Sequence, residues 1–230
     1  MKTIGLIGGM SWESTAEYYR CINTGVRRRL GPLRSAPILL HSVDFGPIEQ
    51  AQREARWHDA GDMLADSARR LEAAGADNIM LATNTMHIVA DRIVAATGLP
   101  FLHIADPVGR AANASGWRRL GLLGTAFTME QPFLTRHLAS HYGLDVIVPP
   151  PAARAQAHRI IYDELCTGVV REASRQAYRE VINGLAAAGA EAVILGCTEI
   201  GLLIRAPHSP LPLLDSTALH AEAAVDFALG

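Results

Sequence analysis

Short apolar runs alternate with longer amphipathic ones along this chain. "IGLIG" (4–8), "ILLHSV" (38–43), "NIMLAT" (78–83) and "PFLHI" (100–104) have strand length and lead into Gly, Thr or Asp. Between them the apolar residues recur at helical spacing. One helix is expected from Ser11, a plausible N-cap, to Gly31. A second covers 57–75 and places Met63, Leu64, Ala68 and Leu71 on one side. The later part of the chain repeats the scheme. "LGLLG", "DVIVPP", "AVILG" and "PLLD" read as strands. Helices are expected over 130–142, 155–166 and 172–188, the first of them opened by a Thr128–Gln131 capping box. A final helix over 217–229 is expected to return to the first half.

The repetition extends to the residues. "LEAAGADNIMLATNTMH" (71–87) aligns without a gap on "LAAAGAEAVILGCTEIG" (185–201). "TIGLIGGM" (3–10) resembles "RLGLLGTA" (119–126), and "LPFLHIAD" (99–106) resembles "LPLLDST" (211–217). Three anchors in one order at nearly one offset indicate two similar halves and not a solenoid. The expected fold is α/β: two similar domains, each a parallel sheet flanked by helices, related by a pseudo-twofold duplication. The first domain is expected at 1–105 plus 215–230, and the second at 106–214. Ligands of such sheets bind beyond the carboxyl ends of the strands. Four turns fall there: Gly8-Gly9-Met10, Thr83-Asn84-Thr85, Gly124-Thr125 and Cys197-Thr198-Glu199. They are expected to surround one cleft between the domains.

Composition narrows the function. With 49% hydrophobic and 19% charged residues the chain is a folded protein, and a net charge of −2 offers no basic stripe for nucleic acid or an anionic membrane. No run approaches a membrane span, and the apolar stretch at the N-terminus is too short for a secretory leader. The three cysteines, Cys21, Cys166 and Cys197, are scattered, which argues against a disulfide framework and suits a reducing cytoplasm. Cys21 and Cys166 fall in helical patterns and read as packing residues.

Cys197 stands at a strand end just before a helix, where the helix N-terminus is expected to lower its pKa. "TNTMH" and "CTEIG" each present backbone N–H groups that can grip a carboxylate. A twofold relation sets position 83 opposite position 197. Two proton-handling groups on either side of a small anion describe racemisation or epimerisation: one takes the Cα proton and the other returns it on the opposite face. Backbone amides hold the α-carboxylate and spread the developing charge.

These residues also carry a resemblance. "GLIGGMSWEST", "TNTMH", "LLGT" and "GCTEIGLL" look like the aspartate/glutamate racemase family, and most resemble its bacterial L-aspartate/glutamate-specific branch. The match runs through nearly the whole chain. The resemblance implies two α/β domains, an interdomain active site, commonly a homodimer, and no pyridoxal phosphate or other cofactor. Gly5-Leu-Ile-Gly8-Gly9 agrees, being neither G-x-G-x-x-G nor a P-loop. The family usually carries a Cys in each half; here the first is Thr83. A threonine hydroxyl is too weak an acid to be a resting base, so the two faces should be unequal. By resemblance, Cys197 is the principal acid/base and serves the L face, with Thr83 as its partner.

Asn84, Thr85, Thr125 and Thr198, with the backbone near Met10, are the candidates for the substrate's α-carboxylate and ammonium. Arg53, with Gln52 beside it, is the candidate reader of a second carboxylate; the alternative for Arg53 is a solvated helix residue. Many family members place a Lys near "DELCTG", where this chain has Cys166-Thr167. Glu199 either tunes Cys197 or favours the following helix. His41, Asp44, His87, His103, Asp106, Asp215 and His220 sit near strand ends; a metal site is one option for them, but none has a recognised ligand spacing, and supporting hydrogen bonds or plain structure is the favoured reading. The three tryptophans read as packing, Trp12 with the further option of lining the pocket mouth. The favoured reading is a cofactor-independent racemase of aspartate, glutamate or both. A cysteine-dependent decarboxylase or cis-trans isomerase of a dicarboxylate, and a non-catalytic amino-acid-binding protein, remain as alternatives.

Overall fold

The computed structural model describes all 230 residues. The chain divides into two compact units, Met1–Ile104 with Thr217–Gly230, and Ala105–Ser216. The first contains β1 (Ile4–Gly8), α1 (Trp12–Leu30), β2 (Ile38–Ser42), α2 (Phe45–Arg53), α3 (Trp57–Ala73), β3 (Asn78–Leu81), a 3-10 turn at Thr85–Val89, α4 (Ala90–Val94) and β4 (Phe101–Leu102). The second contains α5 (Ala105–Ala114), β5 (Arg119–Gly124), α6 (Ala126–Glu130), α7 (Phe133–Tyr142), β6 (Asp145–Ile147), α8 (Pro151–Asp163), a 3-10 turn at Leu165–Thr167, α9 (Glu172–Ala187), β7 (Ala192–Gly196), α10 (Ile200–Leu203) and β8 (Leu213–Asp215). Helix α11 (Ser216–Leu229) ends the chain.

Each unit holds a four-stranded, all-parallel sheet. The orders are β2-β1-β3-β4 and β6-β5-β7-β8, so the sequence repeat is a repeat of topology. Strands β1, β3 and β7 are buried along their whole length, as strands covered on both faces must be. In the first unit the alternation of side chains separates two cores. Ile7, Ile79 and Leu81 join Leu64, Ala68 and Leu71 of α3. Ile4, Leu6 and Met80 join Tyr18, Ile22 and Val26 of α1 and Ala221, Ala224 and Val225 of α11. The final helix therefore does return to the first half.

Helix α1 forms as expected: Ser11 accepts from Ser14 N–H at 3.2 Å, and Gly31 ends it at φ 109°. Other boundaries differ for identifiable reasons. Strand β4 stops at Leu102 because side chains take the next ladder groups: His220 Nε2 binds Leu102 O at 2.8 Å, and Ile104 N–H donates to His87 Nε2 at 3.2 Å. The expected capping box is displaced. Thr125 is the N-cap, accepting from Thr128 N–H at 3.3 Å, and α6 stops before Pro132, which bars Gln131 from helical geometry (ψ 136°). Helix α8 begins at Pro151, suited to a first turn that needs no N–H, and ends at Asp163. Cys166 consequently lies on the 3-10 turn and is exposed, which overturns its reading as a packing residue. Trp12 is also exposed and does not pack. No helix is long and apolar enough to cross a membrane.

Candidate active site

In the first unit β1 and β3 are parallel neighbours, so the turns that follow them share the carboxyl edge of the sheet. The Gly8-Gly9-Met10 turn is closed by Thr15, which the sequence reading overlooked. Its hydroxyl accepts from Gly9 N–H at 2.8 Å and donates to Ser11 O at 2.8 Å. Gly9 adopts φ +97°, and a Cβ there would lie 2.2 Å from Val43 O. The Met10 side chain is buried in the core, so only its backbone faces the turn.

Thr83, Asn84 and Thr85 leave β3 together, with Asn84 buried and the two threonines half-buried. His87 anchors this turn. Because Ile104 N–H can only donate, His87 Nε2 accepts, and Nδ1–H donates to Thr83 O at 2.9 Å. The Thr83 hydroxyl itself has no hydrogen-bond partner within the protein. Gln52 is buried and donates to Met86 Sδ at 2.8 Å, which ties α2 to the turn. Arg53 is different: its side chain is 68% exposed and pairs with Glu49 at 3.9 Å, so the structure places it as a solvated helix residue. Asp44 caps α2 through Gly46 N–H at 3.0 Å.

In the second unit Gly124 of β5 pairs with Gly196 of β7, which sets Thr125 beside Cys197 on one sheet edge. The Cys197 thiol donates to Glu199 Oε2 at 2.9 Å. Thr125 is occupied as a cap, with its hydroxyl 3.2 Å from that of Thr128. Ala126 N–H donates to His158 Nδ1 at 3.2 Å; His158 had no motif to mark it in the sequence. Thr198 and Glu199 complete the turn before α10. Asp106 is engaged by His137 Nε2 at 2.6 Å and by the Tyr142 hydroxyl at 3.1 Å.

The sequence profile of the Asp/Glu/hydantoin racemase family matches residues 7–224. The chain belongs to this family. It is 51% identical to a putative Asp/Glu racemase from Yersinia pestis, each chain covered completely, with a TM-score of 0.96. An aspartate racemase homologue from Pyrococcus horikoshii is 31% identical, again over both whole chains, with a TM-score of 0.89. The broad-specificity amino-acid racemase RacX of Bacillus subtilis is 23% identical over 96% of this chain and 96% of its own. The protein is thus an isomerase of the amino-acid racemase class.

The state of the racemase's thiol departs from expectation. Burial, and next the adjacent Glu199 carboxylate, push the Cys197 thiol well above its ordinary range. The Glu199 backbone N–H at the start of α10 pulls the other way but is outweighed: α10 spans only Ile200–Leu203, and Ile200 N–H is bound to Cys197 O at 3.2 Å. The resting group is a neutral thiol in contact with a carboxylate that can accept its proton. No corresponding acid stands in contact with Thr83.

Burial also holds His87 neutral, well below the usual imidazole range. In the unfolded chain it protonates below about pH 6.5, while the folded protein keeps it uncharged. Its contribution to stability is therefore complete above that pH and is lost as the pH falls towards the folded value, at up to about 1.4 kcal/mol per unit. His87→Leu should remove this slope. It should also cost about 1–3 kcal/mol for each of the two backbone groups left unpaired. Denaturant unfolding of both proteins between pH 5 and 8, a range spanning the imidazole transition, reads both effects.

Proposed function

We propose that this enzyme racemises aspartate, glutamate or both without a cofactor, with Cys197 and Thr83 serving the two faces of Cα and the L-enantiomer favoured. The observation that carries the reading is the Cys197–Glu199 contact of 2.9 Å, set against a Thr83 hydroxyl that has no activating partner. For an L-substrate, the Cys197 proton passes to Glu199. The thiolate then removes the Cα proton and becomes a thiol again. The carbanion is reprotonated on the opposite face from Thr83, whose hydroxyl is replenished through water or the substrate's own polar groups, while Glu199 gives its proton back to water.

Asn84, Thr85, Thr198 and the backbone at Met10 are the proposed contacts of the α-carboxylate and ammonium, with Thr125 beside Cys197. The reverse direction begins at Thr83, where no hydrogen-bonded group takes up its proton, and has the lower kcat; kcat/KM is the same in both directions, because the two enantiomers have equal free energy. That asymmetry supports the L preference implied by the resemblance. With Arg53 turned to solvent, the reading of the side-chain carboxylate does not rest on it. We place the active protein in the cytoplasm as a homodimer, on the scattered free thiols and the resemblance respectively.

The test is proton NMR in deuterium oxide with L- and D-aspartate and L- and D-glutamate, each incubated separately. Loss of the Cα–H signal with accumulation of the opposite enantiomer is expected, fastest from an L-substrate. Absence of exchange from all four, in folded and reduced protein, removes the proposal. Carbon dioxide release from a malonate would point to the single-cysteine decarboxylase alternative instead.

A further inference from the structure

The short helix α6 cannot hold itself. It has five residues, with the Thr125 cap at one end and the Gln131–Pro132 break at the other. Both of its ends are gripped from α8, by side chains one helical turn apart. His158 Nδ1 accepts Ala126 N–H at 3.2 Å. Arg154 Nε donates to Glu130 Oε1 at 3.2 Å, while its Nη1 donates to Pro149 O at 3.3 Å. Tyr162, a further turn along the same face, lies against the His158 ring with centroids 4.6 Å apart. The matching turn of the first unit is closed differently, by Thr15 on the helix that directly follows it. In the second unit that following helix is too short, and a distant one supplies the imidazole.

We propose that His158 is a positioning residue for the racemase reaction, holding the Thr125–Ala126 turn in the geometry that meets the substrate, with Arg154 anchoring the far end of the same helix. The proposal rests on the reading of Thr125 as a substrate contact. His158 acts by accepting a hydrogen bond at Nδ1, which assigns the neutral ring's proton to Nε2. A side chain that offers an acceptor at that position should substitute for it, and an apolar one of similar size should not.

His158→Asn and His158→Leu provide the test, each compared with wild type by thermal unfolding, by amide hydrogen exchange at Ala126, and by kcat and KM for L-aspartate and L-glutamate. His158→Leu is expected to raise KM roughly tenfold while kcat stays within about threefold, and to speed exchange at Ala126. His158→Asn, which retains an acceptor, is expected to recover most of the KM and of the protection. Equal KM in wild type and His158→Leu overturns the proposal. So does equal impairment in the two variants, which would assign the effect to lost packing against Tyr162. If His158→Leu does not fold, Arg154→Met replaces it: a rise in KM with kcat retained is expected, and an unchanged KM overturns the two-ended clamp. A wild-type protein that turns over neither amino acid defeats the proposed function. The exchange measurement still decides the positioning, since unchanged protection of Ala126 in His158→Leu shows that the imidazole holds nothing.

Discussion

Cys197→Ala should abolish racemisation in both directions, with kcat reduced by about a thousandfold or more. Both directions pass through this side chain, as the base for one enantiomer and the acid for the other, and Thr83 cannot replace it. Thermal stability should change little, because the residue keeps some surface exposure even though its thiol is desolvated, and the loss is a single sulfur. Substrate binding should also survive, since the proposed anion contacts come from other residues; stabilisation by added L-aspartate would report it. Cys197→Ser should fall between wild type and alanine, as a hydroxyl keeps the shape but is a much poorer proton carrier. Full activity in Cys197→Ala would falsify the mechanism. Bound substrate without turnover in the variant would separate a catalytic role from a structural one.

Glu199→Gln should lower kcat by about a hundredfold while making Cys197 easier to alkylate. The two effects have opposite signs because Glu199 does two things to one thiol. Its negative charge, added to burial, holds the thiol's pKa up, so neutralising it increases the thiolate fraction. Its Oε2 also accepts the thiol proton at 2.9 Å, and an amide cannot take that proton away. If Glu199 mattered only through its charge, activity and alkylation would rise together. If it only supported the turn, both would be insensitive to charge, and Glu199→Gln would match wild type. Iodoacetamide labelling of Cys197 measured beside the racemisation rate, on the same preparations, distinguishes the three cases.

The legible part of this protein was periodic or repeated. Buried runs such as "AVILG" announced β7, and the matched stretches at 71–87 and 185–201 announced that two sheets share one strand order. The Ser11 cap was readable because an N-cap acts through a residue three positions away in sequence. Where the local pattern misleads, one short-range signal competes with another. Thr128 and Gln131 matched a capping box, but Pro132 and the better-placed Thr125 decided the helix. Helix α2 carries its own cap in Asp44, a signal as local as the Ser11 cap of α1.

At the candidate site the sequence alone determined which chemical groups are present and on which strand ends they stand. Thr83 and Cys197 occupy corresponding turns of a duplicated scaffold, and connectivity suffices for that. Only the tertiary structure decided the state of those groups. Proximity to a helix start suggested an acidic thiol; burial and a carboxylate 2.9 Å away give the reverse, because desolvation depends on every neighbour in space and not on the next few residues. It likewise turned Arg53 to solvent, brought His87 onto the Thr83 carbonyl, and placed His158 on a turn 32 residues earlier. Sequence spacing specifies which face of a helix a side chain occupies, but what that face meets is set by how the helices pack on the sheet.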